Sequence, residues 1–258
     1  MKRFLINLIN NSIIRFIGRF CYKVFSKTVL RKKEFIFDSL PSLVYSKSDF
    51  LTTELLVNLV AETAKLATKT KLKIGKDNLP DSSLINIFPG EHYRFLNSFV
   101  KISNSKKIVE IGTYTGLGTL ALIEGIDNVS ITTYDIFKWD ELNMPSHFNQ
   151  NDFQGSIKQI VGDLSDDDFF YKNLDILNEA DLIFLDAPKD NKFEYEIAKK
   201  FQKLRPKKNK FLIVDDINFI NMIDFWRSIY SPKIDASSFG HFSGTGIVDI
   251  SNGFKFKI

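Results

Sequence analysis

The sequence predicts an α/β protein built on a mostly parallel β-sheet. From residue 106 onward, apolar β-type runs alternate with helical runs, a pattern typical of parallel strands covered on both faces. The last two β-type runs have no helix between them, and strands that close in sequence must pair as an antiparallel hairpin. We therefore expect seven strands: five βα units and a C-terminal antiparallel hairpin, preceded by an N-terminal helical extension.

The individual elements follow from the spacing of the apolar residues. The strands are predicted at 106–112, 130–136, 157–162, 181–187, 210–217, 233–239 and 245–251. The helices of the core are predicted at 116–125, 165–179, 191–204 and 220–230. Two further helices, at 49–69 and 91–102, come before the first strand and would cover a ligand site. The expected organisation is an extension and linker at 1–48, a helical cover at 49–105 and the core at 106–258.

The charge is divided unevenly between the extension and the rest of the chain. Residues 1–33 carry nine Lys or Arg and no acid, whereas the remaining 225 residues have a net charge of −5. A mildly acidic body argues against a nucleic-acid-binding protein. Residues 4–30 form an amphipathic pattern whose longest uncharged stretch, 11 residues, is too short to span a bilayer. Two interpretations remain open, namely peripheral contact with an anionic membrane, or docking on the body or in a homodimer.

The few cysteine and histidine residues restrict the compartment and the metal chemistry. Cys21 is the only cysteine, which excludes an intramolecular disulfide and is typical of a reducing compartment. No small-residue cleavage site follows the first apolar run, so a signal peptide is not expected. We predict a cytoplasmic protein, membrane-associated if the extension binds lipid. Three scattered histidines do not predict a Cys/His zinc site.

A glycine-rich turn connects the first predicted strand to a helix. Gly112, Gly116 and Gly118 follow Ile108–Ile111, a strand–turn–helix arrangement that exposes free backbone N–H groups to a ligand. Their spacing differs from the G-x-G-x-x-G of dinucleotide binders, which argues against a nicotinamide-dependent oxidoreductase. Asp135 ends the second strand, where an acid binds the ribose of an adenosine-type cofactor. The alternative is a solvated acid at a strand end.

Acidic residues end the fourth and fifth predicted strands. Asp186, Asp215 and Asp216 would lie together at one sheet edge, where their mutual repulsion favours a bound cation. Oxygen ligands suit Mg²⁺ or Ca²⁺. We expect Lys189 to act as a base, with a pKa lowered by the cation and by partial burial. The alternative is an acidic lip in which Lys189 pairs with Asp190.

These residues resemble a known family. Val-Glu-Ile-Gly-Thr-Tyr-Thr-Gly-Leu-Gly, at 109–118, is similar to motif I of class I S-adenosylmethionine-dependent methyltransferases, most closely the catechol O-methyltransferase-like group. The stretch 186–190 resembles that group's Asp-x-x-Lys-Asp, and Asp215-Asp216 its Asp-Asn metal pair. The resemblance covers about 91–258. It implies a Rossmann-like sheet, S-adenosylmethionine as cofactor and magnesium-assisted O-methylation.

The resemblance also implies roles for individual residues. Cofactor binding is expected at Glu110, Gly112, Thr113, Tyr114, Gly116, Gly118, Asp135 and Asp163. Metal binding is expected at Asp186, Asp215 and Asp216, with Lys189 as the catalytic base. This chain departs from the family pattern at Gly118, where a serine is usual, at Asp216, where an asparagine is usual, and at Pro188, which stiffens the loop. Asp163 has an alternative role as a helix N-cap.

Two histidines are additional candidates, and several functions stay open. His241, in the Gly- and Ser-rich segment 237–246, would be a second base or a substrate contact, or would lie in a surface turn. His92 is a similar candidate. The expected function is O-methylation of a small molecule or glycan, at a sugar hydroxyl, a catechol-like phenol or an acyl-linked intermediate. The alternatives are a metal-independent methyltransferase with a histidine base, an oxidoreductase and a non-catalytic adaptor.

Overall fold

The fold is known from a computed structural model that describes residues 51–79, 81–142, 145–190, 192–219 and 222–257. These residues belong to one compact unit, Ser46–Ile258. The predictions made for residues 1–48, including membrane contact, lie outside the described residues. Within the described ranges, no helix has both the length and the apolar character needed to cross a bilayer.

A seven-stranded sheet forms the centre of this unit. Its strands are β1 Lys107–Ile111, β2 Ser130–Asp135, β3 Ile157–Val161, β4 Leu182–Leu185, β5 Phe211–Asp215, β6 Lys233–Asp235 and β7 Thr245–Asp249. They are arranged in the order β3-β2-β1-β4-β5-β7-β6. The first five strands are parallel, and β7 pairs antiparallel with both β5 and β6. The predicted parallel sheet with a terminal antiparallel pair is confirmed.

In the part of the chain that the structure describes, six α-helices surround the sheet at nearly the predicted positions. They are α1 Glu54–Ala67, α2 Tyr93–Ser103, α3 Leu117–Ile123, α4 Asp167–Glu179, α5 Phe193–Phe201 and α6 Met222–Ser228. Local chemistry sets some of their starts. The side chain of Thr53 caps α1, and the side chain of Asp166 caps α4 by accepting from the Phe169 N–H at 2.9 Å. Asp163 therefore does not cap α4.

The sheet is buried on both faces, as the continuous apolar runs of β4 and β5 predict. Ile183, Leu185 and Val214 pack into one core cluster with the residues of α4, α5 and α6. Leu182, Phe184 and Ile213 alternate with them and pack into a second cluster with α1 and α2. The strand order reverses on the two sides of β1, so that β1 and β4 form the switch point beyond which α/β proteins bind ligands.

Candidate active site

A cavity of about 940 Å³ opens at the carboxyl ends of β1, β2, β4 and β5. One wall is formed by the turn after β1, the end of β2 and the loop after β3. The opposite wall is formed by the loops after β4 and β5, together with the start of α2 and the loop between β6 and β7. We describe these as the turn wall and the charged wall.

The glycines of the turn wall are needed because the protein packs closely against itself. Gly112 has φ +105°, and a Cβ atom there would lie 1.8 Å from the backbone oxygen of Asp186. Gly116 has φ +92°, and its Cβ would lie 2.5 Å from the ring of Phe148. Gly112 lines the cavity. The turn after β1 therefore packs directly against the start of the loop after β4. The two walls of the cavity meet at this contact between the backbones of Gly112 and Asp186.

Glu110 lies underneath the turn and is buried. Its Oε2 accepts hydrogen bonds from the hydroxyls of Thr119 and Thr133, the latter at 2.6 Å. Burial raises the pKa of the Glu110 carboxyl to about 8, against the lowering effect of the two hydroxyls. Gly118 makes room for this carboxyl, because a Cβ there would lie 2.7 Å from Glu110 Oε1. The glycine that replaces the family's usual serine thus has a steric reason.

The raised pKa of Glu110 predicts a pH-dependent stability. The folded carboxyl keeps its proton up to about pH 8, whereas the unfolded one loses it near pH 4.5, so stability falls as the pH rises through this window. The unfolding free energy of the wild type is therefore expected to fall as the pH rises. Glu110→Gln, which cannot ionise, is expected to lose less over the same pH range, by roughly a few kcal/mol. Urea denaturation of both proteins at pH 5, 6.5 and 8 measures this. Parallel pH profiles for the two proteins would show that Glu110 is ionised in the fold.

Asp135 holds the turn wall in place. One carboxylate oxygen, Oδ2, accepts from the backbone N–H groups of Thr113 at 2.9 Å and Tyr114 at 3.0 Å, and Oδ1 accepts from Phe137 at 3.2 Å. Asp163 lines the same wall and accepts from the backbone N–H of Ser165 at 2.7 Å. Next to these acids the cavity is apolar, with Ile136, Phe137, Leu142 and Leu164. This wall combines an ordered acid with a surface for a flat apolar group.

On the charged wall, Lys189 lies among the three predicted metal ligands. Its ammonium donates to Asp186 Oδ1, lies 2.8 Å from Asp216 Oδ2 and lies 4.0 Å from Asp215 Oδ2. Burial lowers the pKa of Lys189, but the attraction of these carboxylates outweighs burial and holds the pKa above its usual value. The lowering of this pKa that a bound cation would cause stays a prediction. The lysine acts as a counter-ion to the acids.

The loops of the charged wall adopt uncommon backbone conformations. Lys189 has φ +62° and Asp216 has φ +57°, both in the left-handed region that side chains with a Cβ disfavour. The buried Glu194 stabilises the first of these, because its carboxylate accepts from the Lys189 N–H at 2.7 Å. Tyr114, on the opposite wall, has φ +43°. Strain of this kind persists where the surrounding structure holds it, as at ligand sites.

Two histidines from distant parts of the chain meet at Asp215. Asp215 Oδ1 lies 3.1 Å from His92 Nδ1 and 3.3 Å from His241 Nδ1. The other nitrogen of His241, Nε2, lies 3.0 Å from Glu91 Oε2. Burial lowers the pKa of His241, but hydrogen bonds with Asp215 and Asp216 outweigh burial and raise it to about 10. Burial raises the pKa of Asp215, but His92 and His241 hold it well below its usual range.

Comparison with known proteins assigns the chain to a family. A model of the O-methyltransferase family matches residues 47–219, which is more than half of the chain. The chain belongs to the O-methyltransferase family. The predicted class of enzyme, an S-adenosylmethionine-dependent methyltransferase, is confirmed.

Solved structures of other methyltransferases are similar to this O-methyltransferase at low identity. A methyltransferase from Podospora anserina with bound SAH is 18% identical, with 78% of this chain and 88% of that chain covered and a TM-score of 0.42. An O-methyltransferase from Bacillus cereus in complex with SAH is 16% identical, with 78% and 91% covered and a TM-score of 0.40. No curated protein matches the sequence.

The cavity contains most of the residues that the sequence singles out in this O-methyltransferase. Those that line it are Gly112, Tyr114, Asp135, Asp163, Asp186, Lys189, Asp215, Asp216 and His241, together with His92. Glu110, Thr113, Gly116 and Gly118 are not among its lining residues. These four residues lie in or beside the turn without lining the cavity. The hydroxyl oxygens of Thr113 and Thr133 are 2.7 Å apart, and Thr133 in turn donates to the buried Glu110.

Some lining residues of the O-methyltransferase carry no sequence signal of their own. Glu91 and Tyr93 flank His92 at the start of α2 and reach the charged wall from the other side. Phe137 and Leu142 belong to an irregular segment without periodicity. The exposed fractions of Ile136 and Phe137, 59% and 55%, are high for apolar side chains and are visible only once the fold is known.

Proposed function

We propose that this O-methyltransferase transfers the methyl group of S-adenosylmethionine to a hydroxyl group of a small-molecule or glycan acceptor, assisted by a divalent cation. The observation that carries the proposal is the pairing of two unlike walls in one cavity. An ordered turn with an adjacent apolar surface faces a cluster of acids, lysine and histidine. The first suits a nucleoside cofactor, and the second suits a polar acceptor.

The turn wall supports the cofactor part of the proposal. Ile136, Phe137 and Leu164 offer an apolar surface for adenine, and Asp135 stands where a ribose hydroxyl would bind. Gly112 and Tyr114 lie between this surface and the charged wall, where the methionine end would extend. The negative charge of the opposite wall favours a cationic sulfonium, so electrostatics and position would both direct the methyl group to that side.

The charged wall supports the acceptor part. The carboxylates of Asp186, Asp215 and Asp216 present donor atoms within 4.8 Å of one another, an oxygen set that fits the predicted Mg²⁺. A cation bound there would orient an acceptor hydroxyl and lower its pKa. The ammonium of Lys189 pairs with two of the same carboxylates, those of Asp186 and Asp216, and would compete with a cation for them. Lys189 as base and His241 as second base must each be deprotonated before they can accept a proton from the acceptor. The neighbouring carboxylates oppose this, because they raise the pKa of both groups.

A metal-independent form of the reaction is the second candidate, and one observation favours it. Lys189 and His241 already supply positive charge to the acids of the charged wall, so that the acids need no metal to be stable together. In this form the acids hold polar groups of the acceptor, and the base is His92, or His241 after it has released its own proton. The two forms differ in their response to a chelator.

A two-part experiment tests the proposed function. The first part uses S-adenosylhomocysteine (SAH), the product left when S-adenosylmethionine loses its methyl group. We expect calorimetry to show SAH binding with and without EDTA, because the turn wall contains none of the predicted metal ligands. We expect transfer of labelled methyl to 3,4-dihydroxybenzoate, used as a vicinal diphenol probe, to fall at least about tenfold in EDTA and to return with added divalent cation. Transfer that is insensitive to EDTA would support the metal-independent form. Absence of SAH binding would contradict both forms.

A further inference from the structure

The strongest unassigned feature of the charged wall is the meeting of two imidazoles and one carboxylate. His92 comes from the residue before α2, Asp215 from the last position of β5, and His241 from the loop between β6 and β7. One nitrogen of each ring and one carboxylate oxygen lie within 4.8 Å of one another. We call these three residues the histidine cluster. No cysteine is needed for such a site, because imidazole and carboxylate are themselves metal ligands.

Two of the three ligand-to-ligand distances in the cluster agree with tetrahedral coordination, and the third is at most 4.8 Å. Two ligands at about 2.0 Å from a tetrahedral zinc-type ion lie roughly 3.3 Å from each other. In the structure Asp215 Oδ1 lies 3.1 Å from His92 Nδ1 and 3.3 Å from His241 Nδ1. The two rings are tilted at 57° with centroids 4.7 Å apart, so they converge without stacking face to face.

The surroundings of the cluster resemble those of a supported metal site. The side chains of His92 and Asp215 are only 5% and 4% exposed, so their donor atoms are held by packing. Glu91 Oε2 accepts from His241 Nε2 at 3.0 Å, and Nδ1 lies 3.3 Å from an oxygen of Asp215 and 3.3 Å from an oxygen of Asp216. A carboxylate on the outer nitrogen of a metal-bound histidine fixes the orientation of the ring and increases its basicity. Nδ1 of His241 also lies 2.7 Å from Ser243 Oγ, the hydroxyl that a metal would displace.

The neighbouring carboxylate set is the competing cation site, and Lys189 distinguishes the two. The Lys189 ammonium contacts Asp186 and Asp216, so an ion among those acids must displace a buried cation. An ion on the histidine cluster would use Asp215 Oδ1 and would replace the proton on His241 Nδ1, whereas Lys189 faces Asp215 Oδ2 from 4.0 Å and would stay in place. Nitrogen ligands also select a different ion, because imidazole suits zinc-class metals and is a poor ligand for Mg²⁺.

We infer that this protein binds a divalent transition metal of the zinc class through His92, Asp215 and His241. An open fourth position would face the cavity, which His92, Asp215 and His241 all line. The inference goes beyond the proposed function, because its cation and ligands differ from the Mg²⁺ and the three carboxylates considered there; a use of this metal in catalysis rests on the proposed methyl transfer. The metal-binding statement itself can be tested without methyl transfer.

The wild-type protein provides the first test. After EDTA treatment and desalting, the full chain is titrated with Co²⁺ and followed by its visible d–d absorption, with Zn²⁺ and Mg²⁺ as competitors. We expect one Co²⁺ per chain with the strong absorption of low-coordinate nitrogen and oxygen ligation, displaced by stoichiometric Zn²⁺ and retained in millimolar Mg²⁺. Displacement of Co²⁺ by Mg²⁺ at comparable concentration, or failure to bind Co²⁺, would overturn the inference.

Variants then identify the ligands. His92→Gln and His241→Gln are each expected to lower Co²⁺ affinity at least roughly tenfold, and Glu91→Gln to lower it by a similar factor or less. Asp186→Asn is the matched change in the competing site and is expected to preserve the Co²⁺ spectrum. His147→Gln is the imidazole control, because His147 is bonded to Asp81 at 2.8 Å outside the cavity lining.

The result that contradicts the inference is loss of Co²⁺ binding in Asp186→Asn with binding preserved in both cluster variants. Thermal melting of each metal-free variant shows whether it is folded, and the wild-type competition experiment does not depend on any variant. Calorimetric titration of the metal-free wild type with SAH distinguishes a failure of this inference from a failure of the proposed function. SAH binding without Co²⁺ binding would overturn only this inference, whereas absence of SAH binding would contradict the proposed function.

Discussion

Changing Asp135 to asparagine is expected to weaken SAH binding by roughly 100-fold while the protein stays folded. The Asp135 carboxylate accepts three backbone hydrogen bonds, two of them from Thr113 and Tyr114 in the turn. An amide can accept on only one side and directs N–H donors at the other, so one or two charge-assisted bonds of about 1.5–3 kcal/mol are lost. The turn would then lose its order at the place where the cofactor is proposed to bind.

Asp163→Asn is the matched control for this prediction. Asp163 lines the same wall, but its carboxylate accepts from Ser165 in its own loop, so loss of this charge should change SAH affinity by less than roughly tenfold. Isothermal titration calorimetry of both variants with SAH measures the difference, and far-ultraviolet circular dichroism checks the fold. Equal effects of the two changes would mean that Asp135 is not the residue that organises the turn.

Gly112→Ala is expected to destabilise the protein by about 3–5 kcal/mol, or to prevent folding. The new methyl group would lie 1.8 Å from the backbone oxygen of Asp186, and backbone atoms cannot move aside as a flexible side chain can. Either β1 or the β4 loop would have to shift. A shift of that loop would displace Asp186 and Lys189, so the site would be lost together with stability.

Gly125→Ala separates this steric effect from the cost of the backbone conformation. Gly125 also has positive φ, at +62°, but a Cβ there would meet nothing within 4 Å. Its replacement should therefore cost only about 1 kcal/mol, the ordinary penalty of a left-handed alanine. Urea denaturation of the two variants gives both free energies. Similar values for Gly112→Ala and Gly125→Ala would show that the β1–β4 contact is not tight.

Much of the fold could be predicted because the patterns involved are local. Alternating β-type and helical runs place all seven strands within a few residues of their positions. The largest error is at β6, predicted to reach 239 but ending at Asp235. Asp235 accepts from the Ser237 N–H at 2.8 Å, a side-chain turn that competes with strand pairing. The insertion of β7 between β5 and β6 was not predicted, because strand order depends on long-range packing.

The candidate site was predictable to the extent that strand ends share one sheet edge. Asp135, Asp186 and Asp215 line one cavity because parallel strands bring their carboxyl ends together. The state of Lys189 was not predictable. Its expected low pKa depended on an assumed cation, whereas the contacts of its ammonium with Asp186 and Asp216 depend on how the loops after β4 and β5 pack together.

By itself the sequence determined the α/β class, the glycine turn and the acids of the site, because period, turn chemistry and strand ends are properties of neighbouring residues. Only the tertiary structure decided that Gly112 lies against the backbone of Asp186 and Gly118 against the carboxyl of Glu110, and that His92 and His241 meet at Asp215. Those contacts join residues far apart in the chain. Their geometry depends on how the cover helix, the sheet and the terminal hairpin pack together, and no local pattern records that packing.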